Sequence, residues 1–360
     1  MTEAPQPGVQ NAATPAARPG KSRLARIRER TLFGSGLALF CAGVLWLANT
    51  LGHATPILYI GAGLALLGLI EVSLMGTIFL RALPVILIVP LVGVTLLEYA
   101  FIQRPSDARP WEQLLLEFAL AASLAASVHA ITRGLGRFTL ARQILVLALC
   151  VTVTGGFAWL DSRDLAPLDA PTLCAGFIGA AWIVALLVNS SASRRLDMLV
   201  AVGLAAWIAV PLPALAQVFR HFGVAGLISL VVLSKIGDVA GYYVGNAIGR
   251  RRPFPNLSPG KTVAGCVASF VAGLAAGGTL WSMELLPAGT IGVAGGIIAG
   301  ACINIASQAG DLAESWVKRK ARVKDSSSWL GPSGGILDVV DSLLFSVPAA
   351  LILWPVIFGL

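Results

Sequence analysis

Charged side chains are scarce in this chain. Asp, Glu, Lys and Arg make up 12% of its 360 residues, against about 25% in soluble domains, so a water-soluble globular fold is excluded. Alternation of apolar and polar residues over segments of about ten is also missing, which sets aside a transmembrane β-barrel. Cysteine is limited to Cys41, Cys150, Cys174, Cys266 and Cys302, all within apolar segments and none in a CxxC pair. Neither a disulfide framework nor a zinc site is expected from that pattern. The three histidines, His53, His129 and His221, are scattered near segment ends and read as interfacial residues rather than ligands.

Long apolar runs are what the chain has instead, with 56% hydrophobic residues and a mean hydropathy of +0.81. Runs of spanning length predict an all-α polytopic membrane protein of about 10–11 transmembrane helices. They lie near 31–50, 56–74, 80–102, 111–131, 141–160, 170–190, 196–218, 223–248, 262–281, 288–317 and 335–358. Pro84, Pro90, Pro211, Pro213 and Pro348 fall inside these runs, and the Pro211/Pro213 pair makes the seventh the least regular. Residues 1–30, rich in Pro, Ala and Gly and ending in a basic run, read as a disordered cytoplasmic tail, and no removed signal peptide is expected.

The net charge of +8 is explained by topology, so no nucleic-acid partner is expected. With the N-terminus cytoplasmic, the tail and the even-numbered loops hold most of the basic residues, while the opposite loops hold only Arg104, Arg109, Arg163 and Arg220. The positive-inside rule then puts the C-terminus outside. Acidic residues before position 200 mostly read as lying at segment ends or in short outer loops. Asp238, Asp311, Glu314, Asp338 and Asp341 fall instead inside or at the cytoplasmic ends of the last helices, where a charge must pair or line a cavity. This divides the chain into the tail, a scaffold at 31–220 and a chemical region at 221–360.

Three patches converge in the chemical region. In Lys235 to Gly249, Gly237, Gly241, Gly245 and Gly249 recur every fourth residue and suit close helix packing, while Asp238 with Lys235 one turn before it marks a site. In residues 250–265, three arginines precede Ser258-Pro259-Gly260-Lys261-Thr262 at the start of a helix, an arrangement suited to phosphate although the P-loop spacing is absent. The third patch, Ser307 to Ser342, puts Gln308, Asp311, Glu314 and Ser315 on one helix face and Asp338, Asp341 and Ser342 on the next. Between them lie the cations Lys318, Arg319, Lys320, Arg322 and Lys324, then Gly334 and Gly335, which allow close backbone approach. Carboxylates at neighbouring helix ends suit a divalent metal, and hard oxygen donors without Cys or His favour Mg2+. The simpler alternative is a solvated basic loop with aspartates that cap helices.

These residues resemble the phosphatidate cytidylyltransferase (CDP-diglyceride synthase) family. Its C-terminal signature is matched without a gap from Ser315 to Asp341, through Lys318, Arg319, Lys324, Asp325, Gly334, Gly335 and Asp338. The runs GDVAGYYVGNAIG, SPGKTVAG and SQAGDLAES match further elements, so the resemblance covers roughly residues 230–345. Ser333 stands where the family has His, and Val339 where it has Arg.

The resemblance implies transfer of the cytidylyl group of CTP to phosphatidate, giving CDP-diacylglycerol and pyrophosphate, in a bacterial cytoplasmic (inner) membrane with the site on the cytoplasmic face. It implies Asp311, Asp338 and Asp341 as metal ligands for Mg2+, with a second cation left open. It also implies Lys318 as a catalytic cation, and Ser258, Lys261, Lys318, Arg319, Lys324, Ser333, Gly334 and Gly335 as phosphate- or substrate-binding residues, with Asp238 orienting substrate. A homodimer among membrane lipids is the implied assembly. Three alternatives stand beside this reading: a CTP-dependent enzyme acting on another lipid, a cation-coupled transporter, and an inactive scaffold. The transporter would show two repeated halves, and the first half of the chain has no counterparts of Asp238, Asp311 and Asp338.

Overall fold

Apolar runs with few internal breakers satisfy their backbone groups locally, which in hydrocarbon only a helix or a closed barrel can do. The computed structural model describes residues 42–75, 83–103, 109–134, 192–330 and 334–360. Among these, helices and turns account for all the regular structure, with no strand. The elements are α1 (Ala42–Leu51), α2 (Thr55–Leu74), α3 (Leu83–Gln103), α4 (Pro110–Gly134), α5 (Ala192–Ala209), α6 (Leu215–Ile248), α7 (Val263–Ser282), α8 (Val293–Lys320), α9 (Ile336–Val340) and α10 (Leu343–Phe358). Five stretches, Thr55–Leu74, Leu215–Ile248, Val263–Ser282, Val293–Lys320 and Ile336–Phe358, are long and apolar enough to cross a membrane. The protein is an all-α polytopic membrane protein. The expected spans 141–160 and 170–190, the tail 1–30, Cys41, Cys150, Cys174 and Ser333 lie outside the described residues.

Three expected spans are built differently from the sequence reading. The seventh ends at Ala209, because Pro211 and Pro213 occupy a buried turn at Val210–Ala214, and the chain resumes as helix at Leu215. The loop expected after residue 218 is absent: α6 continues to Ile248 through a kink at Gly223, whose φ is 69°. Arg220 therefore lies inside a helix, not in an outer loop. The last span is broken at Asp341–Ser342 into a one-turn α9 and the long α10, which carries Pro348 and Pro355 in its interior.

The helices pack in two groups. α2 to α5 contact one another, α7 lies against both α6 and α8, and α10 packs on α8. The groups are joined where α2 meets α6 and α9 and where α4 meets α10. Small residues let the C-terminal group pack closely. A side chain at Gly241 would come within 3.1 Å of the Gly265 carbonyl on α7, and one at Gly277 on α7 would come within 2.9 Å of Gly300 on α8. The glycine stripe predicted for α6 is thus a packing face.

Glu112 lies exposed in the first turn of α4, as the sequence reading placed such residues, but three other acidic residues of the first half do not lie at segment ends or in loops. Glu71, Glu98 and Glu117 are fully buried. The Gln217 Nε2 group donates to Glu98 Oε1 and to Glu117 Oε1 at 2.6 Å each, and Arg220 lies close enough to interact electrostatically with both carboxyls. This polar node ties α3, α4 and α6 together inside the bundle. It sits toward the end of α6 remote from Asp238, on the other side of the kink at Gly223. Replacing Gln217 by Leu removes the donor shared by two buried carboxyls. The expected cost is about 2–3 kcal/mol, the worth of a charge-assisted hydrogen bond, read as a lowered midpoint of thermal unfolding in detergent.

Candidate active site

The site lies where α6, α7, α8 and the α9–α10 break converge. α6 contributes Lys235 and Asp238 from its second half. The loop after α6 turns back through Ser258, whose carbonyl accepts from the Lys261 N–H at 3.1 Å. Thr262 then opens α7 as its N-cap, its hydroxyl accepting from the Gly265 N–H at 3.1 Å, a capping role that Thr fills well. Lys261 is thereby placed directly before the N-cap of α7. α8 supplies Asp311, Glu314 and Lys318 from successive turns, with a polar run beneath them. The Asn304 Nδ2 group donates to Ser269 Oγ at 3.1 Å, Gln308 Nε2 to Asn304 Oδ1 at 2.7 Å, and Ser307 Oγ to the Ser234 carbonyl at 2.7 Å.

Three carboxyls and two ammonium groups form the centre. Lys261 Nζ lies 3.1 Å from Asp311 Oδ2, and Lys235 Nζ lies 3.4 Å from Asp341 Oδ1. The carboxyls of Asp238 and Asp341 both lie close enough to that of Asp311 to act on it electrostatically. Asp311 is therefore the hub, and its Oδ1 is buried without a hydrogen-bond partner. The sequence pattern pairs Lys235 with Asp238 along one helix; the close ion pair is made instead across the bundle to Asp341. Like-charged carboxyls this close repel unless a cation or a proton lies between them.

Asp338 belongs to a second, adjoining cluster. Its Oδ1 lies 2.5 Å from Lys318 Nζ, which is also 2.7 Å from Glu314 Oε1 one turn earlier on α8. Its Oδ2 accepts from the Ser326 N–H at 2.9 Å, the Ser326 hydroxyl at 2.7 Å and the Gly335 N–H at 2.7 Å. The last of these bonds is one half of a capping box, so the simpler alternative for Asp338, helix capping, is realised together with an ion pair. Lys318 is buried and holds two carboxylates.

The remaining candidates are more open. Arg319 is exposed and donates to the Leu257 carbonyl at 3.3 Å and the Val323 carbonyl at 2.9 Å, tying the two loops together, and Lys324 is exposed. Gly334 has a φ of 82°. At Gly335 a Cβ would run into Ser326 Oγ and the Glu71 carboxylate, so only a residue without a side chain permits that approach.

Glu71 went unnoticed in the sequence. It comes from α2, in the part of the chain read as scaffold, and its carboxylate accepts from the loop and from the start of α9. The signal was available, because Glu71 interrupts the apolar run LGLIEVSL as Asp238 interrupts its own. The same rule about intramembrane carboxylates applies to both.

Hard oxygen donors, a hub carboxylate shared by two neighbours and one orphaned buried oxygen suit a divalent ion. Among the described residues no group of three His, Cys, Asp or Glu side chains stands ready to hold a metal. Mg2+ commonly needs only one or two carboxylates, completing its shell with water and substrate phosphates. The donor set therefore fits an ion that arrives with a phosphorylated substrate.

A sequence model of the cytidylyltransferase family matches residues 28–357. The chain belongs to the cytidylyltransferase family. Membership makes it a nucleotidyltransferase, and the match runs through α1 to α5 as well as the chemical region. The chain is similar to the phosphatidate cytidylyltransferase of Brucella suis biovar 1, 34% identical over 208 residues that cover 57% of this chain and 74% of that protein. It is similar to the phosphatidate cytidylyltransferase of Chlamydia trachomatis serovar D at 31% over 225 residues, 58% of this chain and 70% of that protein. That of Aquifex aeolicus is 34% identical over 113 residues, 31% of this chain and 40% of that protein.

In this cytidylyltransferase, replacing Lys318 by Met strands Glu314 and Asp338 in a buried setting. Loss of one partner from such a pair costs about 3–5 kcal/mol. A double-mutant cycle with Glu314→Gln, followed by thermal unfolding in detergent, is expected to show recovery of part of that loss.

Proposed function

We propose that the chain transfers the cytidylyl group of CTP to phosphatidate, giving CDP-diacylglycerol and pyrophosphate, in a Mg2+-dependent reaction on the cytoplasmic face of a bacterial inner membrane. The observation that carries this reading is the hub of Asp311 with Asp238 and Asp341, flanked by Lys235 and Lys261, at the end of membrane helices. Carboxylates alternating with ammonium groups match a polyphosphate that brings its own metal. The printed names of the Brucella and Chlamydia relatives supply the substrate class. The positive-inside distribution of Lys and Arg supports the cytoplasmic orientation.

A phosphate oxygen of phosphatidate attacks the α-phosphorus of CTP, a P–O bond forms there, and the bond to the β-phosphate breaks to release pyrophosphate. Asp311, with Asp341 beside it, would hold Mg2+, with water and the substrate phosphates completing its shell. That ion, when bound, neutralises charge on the triphosphate and the leaving group. Lys261, directly before the N-cap of α7, is positioned to exchange its contact with Asp311 for a phosphate oxygen. Lys235 holds Asp341 in register, and Lys318 with Asp338 braces the loop that closes this side. The acceptor is a dianionic phosphate monoester near neutral pH, so no protein base has to take a proton from it.

Purified protein given Mg2+, CTP and phosphatidate is expected to release pyrophosphate and form a CDP-lipid; release of CDP would instead indicate phosphoryl transfer and overturn the reading. Asp311→Asn and Asp341→Asn are each expected to lower turnover by about a hundredfold or more, equivalent to a few kcal/mol of lost charge stabilisation. Normal turnover in both would remove the hub from the mechanism.

A further inference from the structure

We propose that Glu71 is a positioning residue that holds the catalytic loop against the membrane scaffold, so that its carboxylate, remote from the reacting atoms, sets the placement of Asp338 and Asp341. The proposal rests on the reaction assigned above. Glu71 is fully buried on α2. Its Oε1 accepts from the Ser327 hydroxyl at 2.7 Å and the Ile336 N–H at 2.8 Å, and its Oε2 from the Ser326 hydroxyl at 2.8 Å and the Leu337 N–H at 2.9 Å. Four donors converge on one carboxylate, two from the loop after α8 and two from the first turn of α9. No Lys or Arg among the described residues forms an ion pair with it.

The converging donors have a specific consequence. The first-turn N–H groups of a helix have no partner within it, and Glu71 takes two of those of α9, fixing where that helix begins. Asp338 lies one residue after Leu337, and Asp341 ends the same turn. The Ser326 hydroxyl lies 2.8 Å from Glu71 and 2.7 Å from Asp338 Oδ2 yet has only one proton to donate. With that proton given to Glu71, the Ser326 N–H still bonds Asp338 Oδ2 at 2.9 Å, so the residue joins Glu71 to the cluster that holds Lys318. A loop that Glu71 releases would let Asp341 drift from Asp311 without touching the substrate pocket directly.

The test compares Glu71→Gln with Leu69→Ala, a buried core change on the same helix. Glutamine keeps the volume, but its amide NH2 must face either Ile336 N–H and Ser327 or Leu337 N–H and Ser326, setting donor against donor. In full-length protein assayed with CTP, phosphatidate and Mg2+, Glu71→Gln is expected to lower kcat about tenfold, the equivalent of one charge-assisted hydrogen bond, with KM for CTP little changed. Limited trypsin digestion, with cleavage at the exposed Lys320, Arg322 and Lys324 read by mass spectrometry, is expected to run faster by a similar factor. Leu69→Ala is expected to lower thermal stability while leaving kcat and cleavage near wild type. Unchanged kcat and cleavage in Glu71→Gln, or an equal loss in Leu69→Ala, overturns the proposal. Should Glu71→Gln fail to fold, Ser327→Ala removes one donor and is expected to shift kcat and cleavage the same way by a smaller factor, and no shift overturns it. If wild type makes no CDP-lipid, the assigned reaction fails and the cleavage comparison alone decides the role of Glu71.

Discussion

Charge inside a hydrocarbon layer has to be matched locally, and the C-terminal half of this protein is arranged to satisfy that demand. Lys318 lies between Glu314 and Asp338, Lys261 meets Asp311 and Lys235 meets Asp341. Each pairing joins two segments that are distant in sequence or one turn apart on a helix, so matching the charge also fixes the architecture. Removing a buried ion from water costs several kcal/mol even after relaxation, and only a well-placed partner offsets that cost. The pairings do not neutralise everything. Lys235 and Lys261 pair with Asp341 and Asp311 and are shared with Asp238, and the second oxygen of Asp311 is buried without a hydrogen-bond partner, so negative charge is left in excess where a metal-bearing substrate would arrive.

Close approach of the helices is what lets short side chains meet. Gly241 and Gly265 bring α6 onto α7, and Gly277 and Gly300 bring α7 onto α8. Packing of this kind suits membranes, where the apolar surface of a helix gains little by leaving lipid and close van der Waals contact has to supply the attraction. The same closeness lets Ser269, Asn304 and Gln308 form a continuous polar run beneath Asp311. Fold and site are thus set by one small-residue framework.

Much of this was legible in the chain itself. Long apolar runs specify helices because hydrocarbon offers the backbone no alternative, and the Pro211/Pro213 pair marked the irregular span correctly. The residues of the site were named because an aspartate in an apolar run is costly without a purpose. Their partners were another matter. Spacing along one helix paired Lys235 with Asp238, whereas the partner lies on a segment more than a hundred positions away, and periodicity carries no information about contacts between helices. The same limit hid the Glu98–Gln217–Glu117 node, although Glu98 and Glu117 each interrupt an apolar run as Glu71 does. The kink at Gly223 was missed because a short polar stretch near the end of an apolar run reads as a loop. Asp338 carried a metal role by resemblance, and its contacts show capping and an ion pair.

The kink itself bears on both ends of the long helix. Gly223 has a φ of 69° and a ψ of −171°, and no atom lies within 4 Å of where a side chain would be. That backbone conformation is reached almost solely by residues without a Cβ, so the angle there depends on chain stereochemistry rather than on any neighbour. The Gln217 node lies before the bend and the Lys235–Asp238 segment after it. A family member with a bulkier residue at this point could fill the empty space and still fail to align the two polar centres, because what that position transmits is direction rather than volume.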